Sequence, residues 1–238
     1  AHFKLMNEHA RNHYPISNII LVSKSAEESK SKYFNDNGLY KDNIQEKIIR
    51  EDELVTSQNP ILTPLLHAEG PTVFLLPLAL SKDEKYIYHF LRRVSHENAG
   101  KEIIVYGTYK WLEMKSDIMD YINTQKVRLT ISNYVNSEDA EIRNFKKKYF
   151  QEYREFPSED AVEGYDLIKF IINSIRNYDM DIDNKISKNN YTGLQTQFII
   201  TPVYKNKLNP SRNELPDYYE NSYVRMVEIR NNNYKILD

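Results

Sequence analysis

Short apolar runs alternate with longer amphipathic ones along this chain. Residues 18–22 (NIILV), 72–76 (TVFLL), 102–106 (EIIVY) and 127–131 are brief and rich in β-branched side chains, which predicts buried strands. Residues 44–49 make a weaker fifth. Between them, residues 3–12 and 116–123 read as helices. Ser25 and Ser81 each have a glutamate three residues on, Glu28 and Glu84, the signature of a capping box. The first of these helices is expected to close at Gly38 in the C′ position, the second to run to about Glu97. Residues 60–67 form a weak helix. This β-α-β-α order, with strands apolar on both faces, predicts an α/β fold with a parallel sheet and helices on both faces.

Residues 138–175 predict two helices joined at Phe156-Pro157-Ser158. In the first, Ile142, Phe145, Tyr149 and Glu152/Tyr153 fall near one face. In the second, Ala161, Tyr165, Ile168, Ile172 and Ile175 form a stripe widened by Leu167, Phe170 and Ile171. Val162, Asp166, Lys169, Asn173 and Arg176 make a mostly polar seam. A helix this apolar needs cover on more than one side, and Gly164 allows a neighbour close approach. Beyond it, residues 179–190 read as a polar linker, and residues 193–200 and 223–229 as strands. Asn231-Asn232-Asn233 turns into residues 234–237 as a C-terminal β-hairpin. Residues 206–221, polar with two prolines, read as a long loop.

Composition narrows the function classes. A chain of 238 residues with 40% hydrophobic and 28% charged content buries a proper core. The net charge of −2 gives no basic footprint, so nucleic acid is not an expected partner. The longest apolar run, residues 73–80, is broken by Pro77 and is far short of the ~20 residues that cross a bilayer. The absence of cysteine removes disulfides, thiolate nucleophiles and cysteine-based zinc sites. The chain opens at Ala1 without Met or a signal-like segment, which suggests a processed product or a recombinant piece.

No catalytic motif emerges. His9 and His13 have metal-ligand spacing, but Ala10 stands where the zinc-protease motif needs glutamate, so a polar surface helix is the better reading. Lys24 and Ser25 suggest an anion site at a helix start, yet Glu27 and Glu28 already occupy that turn, and plain capping is favoured. Glu159, Asp160, Glu163 and Asp166 read as a solvated acidic helix start rather than paired carboxylates. Nineteen tyrosines tempt a carbohydrate reading, but no cluster follows from their spacing. Ligands in parallel sheets bind beyond the carboxyl ends of the strands. The expected ligand-binding residues are therefore Ser23, Ser25, Leu78, Thr108, Tyr109, Trp111 and Tyr134. Tyr109 and Trp111 either line a cleft or anchor the following helix. No catalytic residue, metal or cofactor is expected.

Five pieces in order resemble the type 1 periplasmic-binding-protein fold of branched-chain amino-acid receptors. They are NIILV, PTVFLLPLALSKDE, IIVYGTYKW, the F-x-x-x-Y…P…GYD block and GLQTQF. The nearest likeness is to Bacteroidetes envelope proteins that join this fold to a LysM peptidoglycan-binding module. There, a Tyr-Gly and a Trp follow the fourth strand, as Tyr106-Gly107 and Trp111 do here. The resemblance implies a second-lobe-like α/β domain from residues 1–135 and 190–238, with residues 136–189 a helical crossover resembling part of the first lobe. The first-lobe sheet and the LysM module are missing, so a fragment is implied, its apolar helix face packing on another copy or on another element of this chain. Related chains carry serine after the proline ending the third strand, whereas Leu78, Ala79 and Leu80 follow Pro77 here. A polar ligand contact is thereby lost.

The implied function is a periplasmic or cell-envelope receptor holding a small molecule, an amino acid or similar, in an interlobe cleft by hinge closure and without catalysis. The alternative is an envelope interaction or scaffold protein, associated with peptidoglycan or an envelope protein, that keeps the fold and has lost small-ligand binding. A homodimer is a further expected partner state. An enzyme is the weakest class, because no nucleophile–base pair or metal set assembles from spacing.

Overall fold

A computed structural model describes residues 1–35, 40–135, 139–204, 215–231 and 233–237. Its elements run α1 (His2–His13), β1 (Ile19–Ser23), α2 (Ser31–Phe34), β2 (Gln45–Ile48), α3 (Glu51–Thr56), β3 (Thr72–Leu75), α4 (Glu84–Glu97), β4 (Ile103–Thr108), α5 (Ser116–Thr124) and β5 (Lys126–Ile131). There follow α6 (Ala140–Tyr153), α7 (Glu159–Tyr178), α8 (Ile182–Lys185), β6 (Tyr191–Thr192), β7 (Gln197–Phe198), β8 (Ile200–Val203), β9 (Tyr218–Asn221), β10 (Arg225–Arg230) and β11 (Asn233–Ile236). Two compact units result: Ala1–Ile131 with Val224–Asp238, and Ser132–Tyr223. Residues 190–204 and 215–223 cluster with the helix pair here, whereas the sequence reading places 190–238 with the sheet.

The first unit holds a seven-stranded sheet in the order β11-β10-β5-β4-β3-β1-β2. β2, β1, β3, β4 and β5 pair in parallel, and β10 and β11 close one edge antiparallel as the expected terminal hairpin. Side chains alternate between the faces. Ile19, Leu21, Val73, Leu75, Ile104 and Tyr106 share a cluster with Met6 and Ala10 of α1 and Phe34 of α2. On the opposite face Phe74 meets Phe90 of α4 edge-on at 5.4 Å. Helices thus cover both faces, as strands apolar on both sides require.

His9 departs from the surface reading. It is buried, with Nδ1 2.8 Å from the Tyr106 hydroxyl, which also accepts from Arg128 Nη1 at 2.9 Å. Its spacing from His13 stacks the two rings at 4.1 Å and provides a partner for a buried phenol. The helix expected from Ser25 is reduced to bends and α2. Glu28 N still reaches Ser25 Oγ at 3.4 Å, but the Glu28 carboxylate pairs with Lys24 and Lys82 and does not close the box. Gly38 lies outside the described residues.

The helix expected over residues 60–67 is only a 3-10 turn, Thr63–Leu65. Here the backbone is tied elsewhere: Ile61 N and Leu62 N donate to Glu97 Oε2 at 2.7 and 2.6 Å, and Arg93 Nη1 donates to Oε1 at 2.8 Å. Burial works to raise the Glu97 pKa, but the backbone donors and Arg93 outweigh it and hold it below the usual range. A depressed carboxylate contributes stability above its unfolded pKa and loses it as pH falls through the folded value. Glu97→Gln is expected to cost about 1–2 kcal/mol near neutrality and to flatten the loss of stability in acid, as read from urea unfolding at pH 7 and pH 3. Equal losses at both pH values would contradict this assignment.

In the second unit the helix pair forms as expected. Asp139 accepts from Glu141 N at 2.7 Å to start α6, Arg154 ends it in the left-handed region, and Ser158 accepts from Ala161 N at 3.2 Å to start α7. The buried face of α7 differs from the expected one: Val162 and Asp166 of the expected polar seam are buried with Phe170, while most of the expected apolar stripe is exposed. Val162, Asp166, Phe170 and Ser174, an i, i+4 row, are buried. Phe170 stacks on Phe198 at 4.5 Å, and Asn189 Nδ2 donates to Ser174 Oγ at 2.6 Å. Leu167, Ile168, Ile171, Ile172 and Ile175 are exposed, with Ile168 at 59%, and a Cβ at Gly164 would meet nothing within 4 Å. Among the described residues of the second unit, no other element covers this stripe. Ile168→Lys is therefore expected to change folding stability by no more than about 0.5 kcal/mol in urea titration. A loss above about 2 kcal/mol would show the face to be packed.

The 179–190 segment contains α8 between 3-10 turns and is no plain linker. The single strand expected over 193–200 is a turn followed by β7 and β8, and β8 pairs with β9. Most of the loop expected over 206–221 lies outside the described residues.

Candidate functional site

The carboxyl edge of the parallel sheet is where the sequence places a ligand. Ser23 ends β1 buried, and its hydroxyl donates to Glu46 Oε1 at 2.5 Å. Lys24 turns to Asp83, with Nζ 2.5 Å from Oδ1, and to Glu28 at 3.1 Å. Partial burial works to lower the Lys24 pKa, but these two carboxylates raise it above its ordinary value. Asp83 is buried, and its second oxygen accepts from Leu80 N at 3.2 Å, opening the α4 region with a carboxylate two residues beyond Ser81. An incoming anion would have to compete with two carboxylates for this lysine. Ser25 stays half-exposed beside it.

The β3 and β4 ends lock together. Leu78 O accepts from Trp111 Nε1 at 2.9 Å and from Thr108 Oγ1 at 3.2 Å. Trp111 is fully buried, filling the space above Gly107, where a Cβ would sit 2.6 Å from the indole. Of the two readings of Trp111, anchoring is the one its burial and hydrogen bond support. Tyr109 remains half-exposed, its ring 5.0 Å from His2, whose Nδ1 lies 3.0 Å from Thr130 Oγ1. Burial lowers the His2 pKa. Thr130 is fully buried, so its hydroxyl has no access to a substrate. The edge thus brings together Ser23, Ser25, Leu78, Thr108, Tyr109 and Trp111, and only Ser25, Leu78 and Tyr109 keep exposed surface. Tyr134 lies in the second unit, where its N–H donates to Gln195 O at 2.8 Å. Among the described residues no group of three His, Asp or Glu side chains could hold a metal.

Asp166 belongs to this structural machinery as well. The sequence puts it on a solvated seam, but it is buried, with Oδ1 accepting from Leu194 N at 2.7 Å and Oδ2 from Gln195 N at 2.9 Å. The same turn closes by Gly193 N to Thr196 O at 2.8 Å, and Thr196 Oγ1 donates to Ser132 O at 2.8 Å. A side chain at position 193 would collide with the Asp166 carboxylate, which is why glycine stands there. The Gly-Tyr-Asp and Gly-Leu-Gln-Thr motifs are two halves of one clamp.

The second unit also holds a cleft of about 740 Å³ between α6, α7 and the β6 strand region. Its aromatic walls are Phe145, Tyr149, Tyr153, Tyr165 and Tyr191. Phe145 lies 4.7 Å from Tyr165, and Tyr149 lies 4.6 Å from Tyr153. Sequence reasoning missed this site, although Phe145, Tyr149 and Tyr153 recur every four residues on one face of α6. Burial, followed by the nearby Asp166 charge, raises the Tyr191 pKa, so its phenol is a neutral hydrogen-bonding group.

Solved structures share this architecture. The chain superposes on an ABC transporter substrate-binding protein from Desulfitobacterium hafniense, solved in complex with Leu, with a TM-score of 0.52 and 10% identity over 98% of this chain and 63% of that one. The chain has the fold of the type 1 periplasmic binding proteins. A second structure with this fold, a protein from Rhodospirillum rubrum named for a branched-chain amino acid ABC transporter, gives a TM-score of 0.50 and 14% identity, covering 92% of this chain and 60% of that one. The chain thus spans about three-fifths of the length of these type 1 proteins. No family model and no curated protein sequence matches it. Among the described residues, no helix of this type 1 fold is long and apolar enough to cross a membrane.

Proposed function

We infer that this chain is a solute-recognition protein acting outside the cytoplasm, which holds a small molecule without changing it. The observation that supports this most is the superposition of nearly the whole chain on a substrate-binding protein solved with Leu. The proposed ligand position is the carboxyl edge of the sheet, faced by Ser25, Leu78 and Tyr109, with Ser23, Thr108 and Trp111 holding the edge in shape. Leu78 in place of a hydroxyl, and a lysine already paired with two carboxylates, favour a small ligand with a large apolar part. Titration calorimetry with the free L-amino acids tests this. Saturable binding that Tyr109→Ala weakens about tenfold or more supports the reading. A flat response to all of them overturns it.

The second reading is an envelope interaction or scaffold protein that keeps the fold without small-ligand binding. It is favoured by the edge itself, whose Ser23, Thr108, Trp111 and Lys24 polar groups are already bonded within the chain. Flat calorimetry together with retention of the folded chain on isolated peptidoglycan or on an envelope extract would support it.

A further inference from the structure

We propose that the aromatic cleft of the second unit is a carbohydrate-binding site, distinct from the sheet edge, that takes an oligosaccharide. The cleft follows α6 from Glu141 to Tyr153, a run of about 18 Å at the helical rise, too long for a single free amino acid. Its volume of about 740 Å³ falls in the range of small-molecule sites. Sugar rings present an apolar C–H face and a rim of hydroxyls that both donate and accept. Tyrosine matches both, with a flat ring and a hydroxyl at its tip. Tyr149, Tyr153, Tyr165 and Tyr191 converge here from three elements, so the tyrosine richness of the chain acquires a place. Tyr153 and Tyr165 keep 62% and 38% of their surface exposed, unlike the tyrosines Tyr86 and Tyr106 that serve the core.

The polar lining fits the same ligand class. Asn144, Glu152 and Lys148 stand along α6, and Lys169 lies over the Tyr165 ring at 5.8 Å. A mixture of carboxylate acceptors, ammonium donors and an amide suits a rim of hydroxyls. It does not suit an anion or a cation alone, because either would meet a like charge in the cleft. Thr192 and the backbone beside Gly193 close one side, and that backbone is fixed by the Asp166 clamp, so part of the site is set before a ligand arrives.

The test is calorimetric titration of the full chain with three tetrasaccharides: chitotetraose, cellotetraose and maltotetraose. At least one is expected to bind with a dissociation constant below ~1 mM. Tyr149→Ala and Tyr165→Ala should each weaken it roughly tenfold, Tyr149→Phe should retain most of it, and the exposed Asn144→Ala should weaken it with the fold intact by circular dichroism. Absence of binding by all three sugars overturns the proposal. So does binding that survives both tyrosine-to-alanine changes and Asn144→Ala. Tyr109→Ala leaves sugar binding unchanged if the two sites are separate, so failure here and failure at the sheet edge are read independently.

Discussion

Trp111→Ala is expected to cost the first unit about 3–5 kcal/mol, the loss typical of a large aromatic removed from a packed core. The indole is fully buried, lies against Gly107, and donates to Leu78 O. Removing it opens a cavity beneath the β3 and β4 ends and leaves Leu78 O with Thr108 as its remaining side-chain donor. Gly107→Ala acts on the same contact from the other side, with its Cβ 2.6 Å from the ring, and is expected to cost about 1–3 kcal/mol. The two changes should not add. Without the indole, the methyl group has room, so the double variant should be less destabilised than the sum. Urea unfolding followed by circular dichroism measures all three, since Trp111 is the sole tryptophan and its fluorescence vanishes with it. Additive losses would mean that the two residues do not share one contact.

Asp166→Ala is expected to cost the second unit about 2–4 kcal/mol, because it strands the N–H groups of Leu194 and Gln195 beside a buried helix face. Hydrogen exchange locates the effect: protection at these two amides should fall, with little change at Tyr191 and Phe198 if the loss is local. Gly193→Ala should mimic it, since its methyl group would displace the carboxylate from the same turn. Unchanged protection at Leu194 and Gln195 in Asp166→Ala would remove the clamp from the account. Loss of the clamp should also weaken any ligand in the aromatic cleft, whose floor includes Gly193 and Leu194.

The parallel sheet was legible because its strands are buried on both faces and therefore read as unbroken apolar runs. The helix pair was legible through its local caps, Asp139 and Ser158, which act within three residues. What escaped depends on distant partners. Asp166 looked solvated because its acceptors' partners are backbone N–H groups nearly thirty residues on, which carry no side-chain signature. The Ser25 helix was lost to Asp83, which draws Lys24 from 59 positions away. His9 looked like a surface residue until Tyr106 was placed beneath α1. The apolar stripe of α7 is legible as apolar, but amphipathicity tells which face is greasy and not what lies against it, and within this chain the stripe is exposed. At the sheet edge, the strand ends are legible in the sequence but their state is not: Ser23, Thr108 and Trp111 are spent on internal bonds.

Equilibrium dialysis of the chain against mixed free amino acids and the three tetrasaccharides, with bound material released and identified by mass spectrometry, tests non-catalytic solute binding most directly. Saturable retention of an apolar amino acid or related small solute, recovered chemically intact and lost in Tyr109→Ala, is the predicted result. Recovery of a converted product, or no retention above that of a denatured control, would contradict it.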